Sequence, residues 1–469
     1  MLSWRNLAVA AVLLASCSLS LGFVIPADQT MPLDGVVDAN IEVYGVGTLG
    51  SGTATTTDNF SVHGYVNGDQ LLESQQLQGT LDVGRNLWVG GGAGLMNLAA
   101  DMAIAETLTV EDGSWQQVGG GISFSGESHL SRSSMDLTSV SLSLDASLRP
   151  GLDQRGSLML HDNSSLELVN SSIVAAAPIP GGPVVTGEVT ANEGSVVLLD
   201  ASVLNLEEAA SSWLSLADSG VALTARNSSS VSVKYADISH QAQLVLEDSS
   251  LSVQYSINAG NGGHISLTDS NAMLGDLGIR ESSVFQQTGG TTVITDRIEM
   301  TRENENTPTA SITGGALQVT GDHGNIYAGT FAATDSDMSF VNLHTSYDGT
   351  VLQIDGGSLS FADEMTVSDG ASAWLTGSSD DKLLVRRGDG GLNRGGLYIV
   401  SGASLTMENV DYSISGGDHN SIYLQGASLT VTDSQLSAGS YNLEGPDTNL
   451  QFVGSSIAGK WITFRGIEA

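Results

Sequence analysis

The chain has 469 residues, with 52 acidic side chains against 16 Lys plus Arg and a formal net charge of −36. That balance repels nucleic acid and polyanionic glycans and favours cations, Ca²⁺ above all. A hydrophobic share of 41% still permits a buried core, and the single cysteine, Cys17, excludes a disulfide framework or a Cys-based metal site.

Residues 1–22 read as an export signal. Arg5 gives a thin positive region, LAVAAVLLAS (7–16) an apolar core, and small residues follow. Two cleavage readings compete. Leu14-Ala15-Ser16-Cys17 resembles a lipoprotein processing site, which makes Cys17 the lipidated residue. Ser20-Leu21-Gly22 suits ordinary signal peptidase. A third reading is an uncleaved anchor over 7–25, marginal in length for a bilayer. Any membrane attachment is through this N-terminus. Residues 23–34 read as a tether. Residues 35–134 are glycine-rich and β-patterned, as in GTLDVGRNLWVGGG (79–92), and read as an N-terminal cap with the first coils.

Residues 135–469 carry a repeat. LQIDGGSLSF (352–361) alternates apolar and polar residues on either side of a glycine corner. Steps of about 21 residues place Gly314, Asp335 and Gly377 at matching corners, and the same step separates Asp248 from Asp269 and Gly426 from Asp447. Gly402 continues the series with looser spacing. A second element follows, as in LELVNSSI (166–173), LTVTDSQL (429–436) and LQFVGSSI (450–457). Period-two alternation marks strands with one buried face, and Gly, Asn and Asp between them suit turns of positive φ. Strands this short bury their apolar face only by stacking coil on coil. Stacked sandwiches would not give near-constant steps with one corner chemistry. AAAPIPGGP (175–183) and TRENENTPTA (301–310) read as excursions, and Trp461, Ile462 and Phe464 as a plug for the last coil.

The fold expected is therefore all-β, a parallel β-helix with coils of about 21 residues. This repeat resembles the right-handed β-helices of the pectin-lyase-like superfamily and of autotransporter passenger domains. It covers most of the chain but carries no invariant family motif. The resemblance implies a secreted or outer-membrane surface protein of a bacterium, and for the enzymes of the superfamily a polysaccharide substrate. Their hydrolases carry Asn-x-Asp, Asp-Asp, Gly-His-Gly and Arg-x-Lys in that order. Here Asp380-Asp381 is the usable acidic pair, GGHIS (262–266) precedes it, GDHN (417–420) lacks a glycine, and no Arg-x-Lys follows. With three lysines in the chain, the basic groups a lyase uses are scarce.

GDHGNIY (321–327) and GDHNSIY (417–423) suggest a repeated acid/base dyad, but they stand at unequal distances from their corners and read as turns. DDKLLVRRGDGGLNRGG (380–396) gathers Lys382, Arg386, Arg387 and Arg394 and reads as a protruding basic loop; its Arg387-Gly388-Asp389 string arises easily by chance in such a loop. VGGGAG (89–94) lacks the ending of a phosphate loop, and the calcium repeat GGxGxDxUx does not occur, so structural Ca²⁺ has no dedicated motif. Trp88, Trp115, Trp213 and Trp374 read as core or cap residues, and the sequon asparagines Asn59, Asn163, Asn170 and Asn227 as turn residues. The expectation is a non-catalytic surface solenoid with a structural, adhesive or matrix role, its partners glycans or other surface proteins. The alternative is a carbohydrate-active β-helix using Asp380, Asp381 and Arg387.

Overall fold

The computed structural model describes residues 22–68, 79–98, 100–144, 154–176, 185–302, 305–321, 323–387, 395–413 and 420–466. Every regular element among them is a β-strand, and the pairings are parallel, consistent with a β-solenoid. The chain divides into two compact units, one running to Glu188 with Glu208–Ser211, the other comprising Val189–Glu207 and the chain from Ser212.

In the first unit, Ile41, Phe60, Leu87 and Leu108 stand level on successive parallel strands, all fully buried. The stretch 23–34 is no tether. Phe23–Ile25 pairs with Ile41–Val43, and Ile25 and Leu33 are fully buried, because their alternation supplies an inward face like any later strand. Corner cations bridge carboxylates of neighbouring levels: Arg85 joins Asp58 and Glu106, and Arg132 joins Glu111, Asp112 and Asp162. Exposed pairs of this kind contribute little stability each, but they relieve like charges stacked one strand apart.

In the second unit the chain runs through three parallel sheets in turn. The first includes Gln243–Glu247, His264–Thr268, Val284–Thr288 and Thr309–Thr313, and its inner column is Leu244, Ile265, Phe285, Ala310, Phe331, Leu352, Ala373, Leu405 and Leu429. The second includes Thr291–Ile294, Ala316–Val319 and Val410–Ser413. The third includes Arg297–Thr301, His323–Ile326, Asn420–Gln425 and Ser440–Glu444. Phe331 of the first sheet meets Phe340 of the second edge-on at 6.4 Å, and the Phe340 ring fills the space over Gly324 of the third. Small residues on one side thus accommodate large ones on another.

The corner between first and second sheets explains the Asp/Gly-Ser signature. Asp248, Asp269, Gly289, Gly314, Asp335, Gly356, Asn409, Asp433 and Gly454 all have positive φ there. Asp tolerates this region because its short side chain bonds locally. Asp269, Asp335 and Asp433 are each followed on the next level by glycine: a Cβ on Gly289, Gly356 or Gly454 would collide with their Oδ1. The serine after the corner points inward. Ser270 Oγ donates to the Thr268 carbonyl at 2.8 Å and accepts the Ser249 N–H at 3.0 Å. Asn163 and Asn170 are also positive-φ corner residues followed by buried serines, and Asn227 and Ser228, both at positive φ, precede the buried Ser229, which accounts for the Asn-Ser-Ser sequons. We expect Ser270→Ala to cost about 1–3 kcal/mol, because it strands the buried Ser249 N–H. Denaturant midpoint and amide exchange at Ser249 both report it.

Two expectations need correction. Gly402 and Gly426 have positive φ but lie at the corner between third and first sheets, so they do not continue the Asp248 series. Both corners need left-handed residues between alternating strands, so the sequence pattern alone does not separate them. Gly377 and Asp447 are not among the positive-φ residues. Trp461, Ile462 and Phe464 do not plug the core. They lie on a paired strand, 68%, 55% and 65% exposed.

Candidate functional site

The outer face of the third sheet in the second unit gathers polar chemistry from residues far apart in sequence. Leu277, Ile298, Gly324, Leu343 and Met365 stand level and point inward. The alternation of the strands then turns their neighbours outward: Asp276, Arg297, His323, Asn342 and Glu364 on one side, Glu299, Asn325 and His344 on the other. His344 Nε2 lies 2.9 Å from Glu364 Oε1, and the His323 ring stands 5.4 Å from His344, edge-on. Arg297 Nε sits 3.8 Å from Asp276 and 3.9 Å from Glu299, too far for hydrogen bonds. Asp276 Oδ1 and Asn325 Oδ1 are buried atoms with no hydrogen-bond partner.

Burial, and then the neighbouring Asp296 carboxylate, push the Asp276 pKa up; burial and then Glu299 raise that of Tyr327. A raised carboxylate means that the folded state holds its proton longer than the unfolded chain. Stability is then lost as pH rises from the ordinary carboxylate range through the raised pKa. We therefore expect Asp276→Asn to raise the unfolding midpoint at pH 7, with the gain vanishing below about pH 4. Thermal melts across pH 3–8 check it.

At its upstream end the same outer column is aromatic. Trp213 stacks on Tyr235 at 4.6 Å and 16°, and Tyr235 on Tyr255 at 5.1 Å and 32°. This ladder is exposed rather than core or cap. Trp115, by contrast, is fully buried with Nε1 donating to Gln117 and Trp88 leans on His63, whereas Trp374, 40% exposed, lies outside the core like Trp213.

The residues singled out in the sequence do not converge. Asp380 and Asp381 lie on an exposed turn, where Ser378 N–H donates to the Asp381 carbonyl. Arg387 is not on a protruding loop. It closes the strand Leu383–Arg387, is 7% exposed, and donates from Nε to the Ala362 carbonyl at 3.0 Å. Inward alternation from Leu383 and Val385 carries it inside, away from the face where an acidic pair could use it. Residues 388–394, with Arg394, lie outside the described residues, as do Cys17, Asp322, Asp418 and His419. The first GDH stretch is not all turn, since His323–Ile326 is a strand. Both stretches reach the third sheet, but Gly324, rather than Ile326, stands level with Ile422 through Leu343, Met365 and Leu397. They are not equivalent copies. His264 of GGHIS is on the first sheet, its Nε2 buried without a partner, and burial lowers its pKa.

The signal for the third-sheet site was recoverable only from register. Its members come from separate coils, one or two per coil, and no short motif unites them. Among the described residues no group of three or more His, Cys, Asp or Glu is placed to hold a metal ion, and no helix is long and apolar enough to cross a membrane. No family model, curated protein or solved structure matches the chain.

Proposed function

We propose that this protein is an exported, non-catalytic β-solenoid of the bacterial cell surface or its surroundings, with a structural, adhesive or matrix role. In this reading it is a right-handed parallel β-helix with coils of about 21 residues, of the pectin-lyase-like or autotransporter-passenger kind. Side chain–backbone bonds between levels at sequence separations of 20 and 21 support that repeat. The observation that carries the functional reading is the scatter of Asp380, Asp381 and Arg387, two on an exposed turn and one inside. A scaffold needs only its stacked core and an outer face that stays soluble, which the charge of −36 supplies.

A second reading, a carbohydrate-active enzyme, draws support from the His344–Glu364 pair beside Arg297 and His323. A carboxylate bonded to an imidazole on an open face is a plausible acid/base unit. Incubating the purified protein with a panel of neutral and acidic polysaccharides separates the two. We expect no new reducing ends or unsaturated products. Reproducible cleavage, abolished by Glu364→Gln, would establish the enzyme. Mass spectrometry of the mature N-terminus tests export, expecting a chain beginning near residue 17 or 23, with lipid mass if Cys17 is the first residue.

A further inference from the structure

The aromatic ladder stops abruptly. Trp213, Tyr235 and Tyr255 lie on successive strands with their rings stacked; Tyr255 falls at a register shift, between the level pairs Val253–Leu274 and Ser256–Asp276, and the one residue opposite that shift on the next strand is Gly275. Glycine offers no ring to continue the stack. Tyr255 is covered by Tyr235 on one face yet remains 48% exposed, so its other face is open.

Carboxylates border that open face. Asp276 adjoins Gly275 and stands level with Ser256, and Asp296 lies one level on, its N–H donating to the Gly275 carbonyl at 3.1 Å. Asp276 keeps a buried oxygen without a donor, and Arg297, the cation beside it, divides itself between Asp276 and Glu299 beyond hydrogen-bond range. The neighbourhood therefore joins an aromatic face to two adjacent carboxylates, with the Arg297 side chain beyond hydrogen-bond range of Asp276.

We propose that Tyr255, Asp276 and Asp296 form a seat for the guanidinium of an arginine side chain presented by a partner protein. A guanidinium is flat, stacks on an aromatic face and offers a fork of donors to carboxylates. Seated beyond Tyr255 it adds a fourth flat layer to the ladder and offers its donors to the accessible edge of the Asp276 carboxylate, whose side chain is 28% exposed, and to Asp296. An ammonium lacks the plane, and a neutral sugar gains nothing from the charge. The inference rests on the adhesive reading for the existence of a partner, while the geometry of the seat stands apart from it.

Isothermal titration of the full chain with acetyl-Gly-Arg-Gly-amide tests the seat, against the same peptide carrying citrulline, which is flat but uncharged. We expect the arginine peptide to bind about tenfold more tightly than citrulline. Tyr255→Ala is expected to weaken binding about two- to fivefold and Asp276→Asn about tenfold. Tyr398→Ala, on the same sheet but remote, leaves it unchanged. Circular dichroism confirms that each variant is folded. Equal binding of the two peptides overturns the proposal. So does binding insensitive to Tyr255→Ala, which marks diffuse attraction to an acidic surface, or no binding at all. Displacement by cellohexaose with no preference for arginine would assign the face to sugar. Polysaccharide cleavage, read separately, removes the scaffold reading without touching this one.

Discussion

Phe331→Ala is expected to lower the unfolding free energy by about 3–5 kcal/mol. Phe331 is fully buried, and its neighbours in the column are Ala310 and Leu352. Ala310 is too small to fill the void, and Leu352 is held by its own strand pairing. The ring also braces Phe340, which in turn occupies the space over Gly324, so one truncation loosens the packing of all three sheets. Because stacked coils unfold in segments, the loss should appear first as exchange of amides at Ser311–Ile354 rather than as a uniform shift. A change below about 1 kcal/mol would mean that the column does not pack as described.

Gly357→Ala is the second large effect, about 2–3 kcal/mol of destabilisation. Gly356 and Gly357 both have positive φ, and a Cβ on Gly357 would strike the backbone carbonyl of Ser336 on the preceding level. Neither strain nor collision can be relieved by a side-chain rotation, since the obstacle is main chain. The neighbouring corner at Asp335-Ser336 shows the alternative: one left-handed residue, then a serine whose hydroxyl donates to the Thr334 carbonyl at 2.7 Å. Gly357→Ala supplies a methyl group but no such hydroxyl. A denaturant midpoint unchanged by Gly357→Ala would contradict the corner geometry.

Much of the fold was legible because two local rules act in every coil. Period-two alternation named the inward residues, as in LQIDGGSLSF, where Leu352, Ile354, Leu359 and Phe361 are all buried. Left-handed corner chemistry named Asp248, Asp269, Gly314, Asp335 and Gly356. What failed were features that local rules do not encode. Corners of two kinds share one chemistry, which carried the series across to Gly402 and Gly426. A long apolar-to-basic run, Leu383–Arg387, reads as a loop by charge yet is a strand whose last residue turns inward. In the stretch 35–134 the spacing between level residues varies, although Leu87, Leu108 and their neighbours pair in register.

The third-sheet face was hidden for a related reason. Tyr255, Asp276, Arg297, His323, His344 and Glu364 occupy successive levels of one surface, each contributed by a different stretch of chain. Spacing searches look for ligands within a few residues, whereas a stacked sheet brings residues together at roughly one coil apart. GDHGNIY and GDHNSIY set Asp and His side by side along the chain, whereas His344 pairs with Glu364 across it.

Cysteine pairing tests the parallel stacking most directly, since with Cys17→Ser the chain has no other thiol. Thr313 and Thr334 stand level on adjacent parallel strands, both facing outward, while Thr330 is level with Thr309 at the far end of the strand. Under mild oxidation we predict a disulfide in the Thr313→Cys/Thr334→Cys variant and none in Thr313→Cys/Thr330→Cys, because only the first pair is within disulfide reach. Cross-linking of the second pair and not the first would mean antiparallel strands, and would contradict the account.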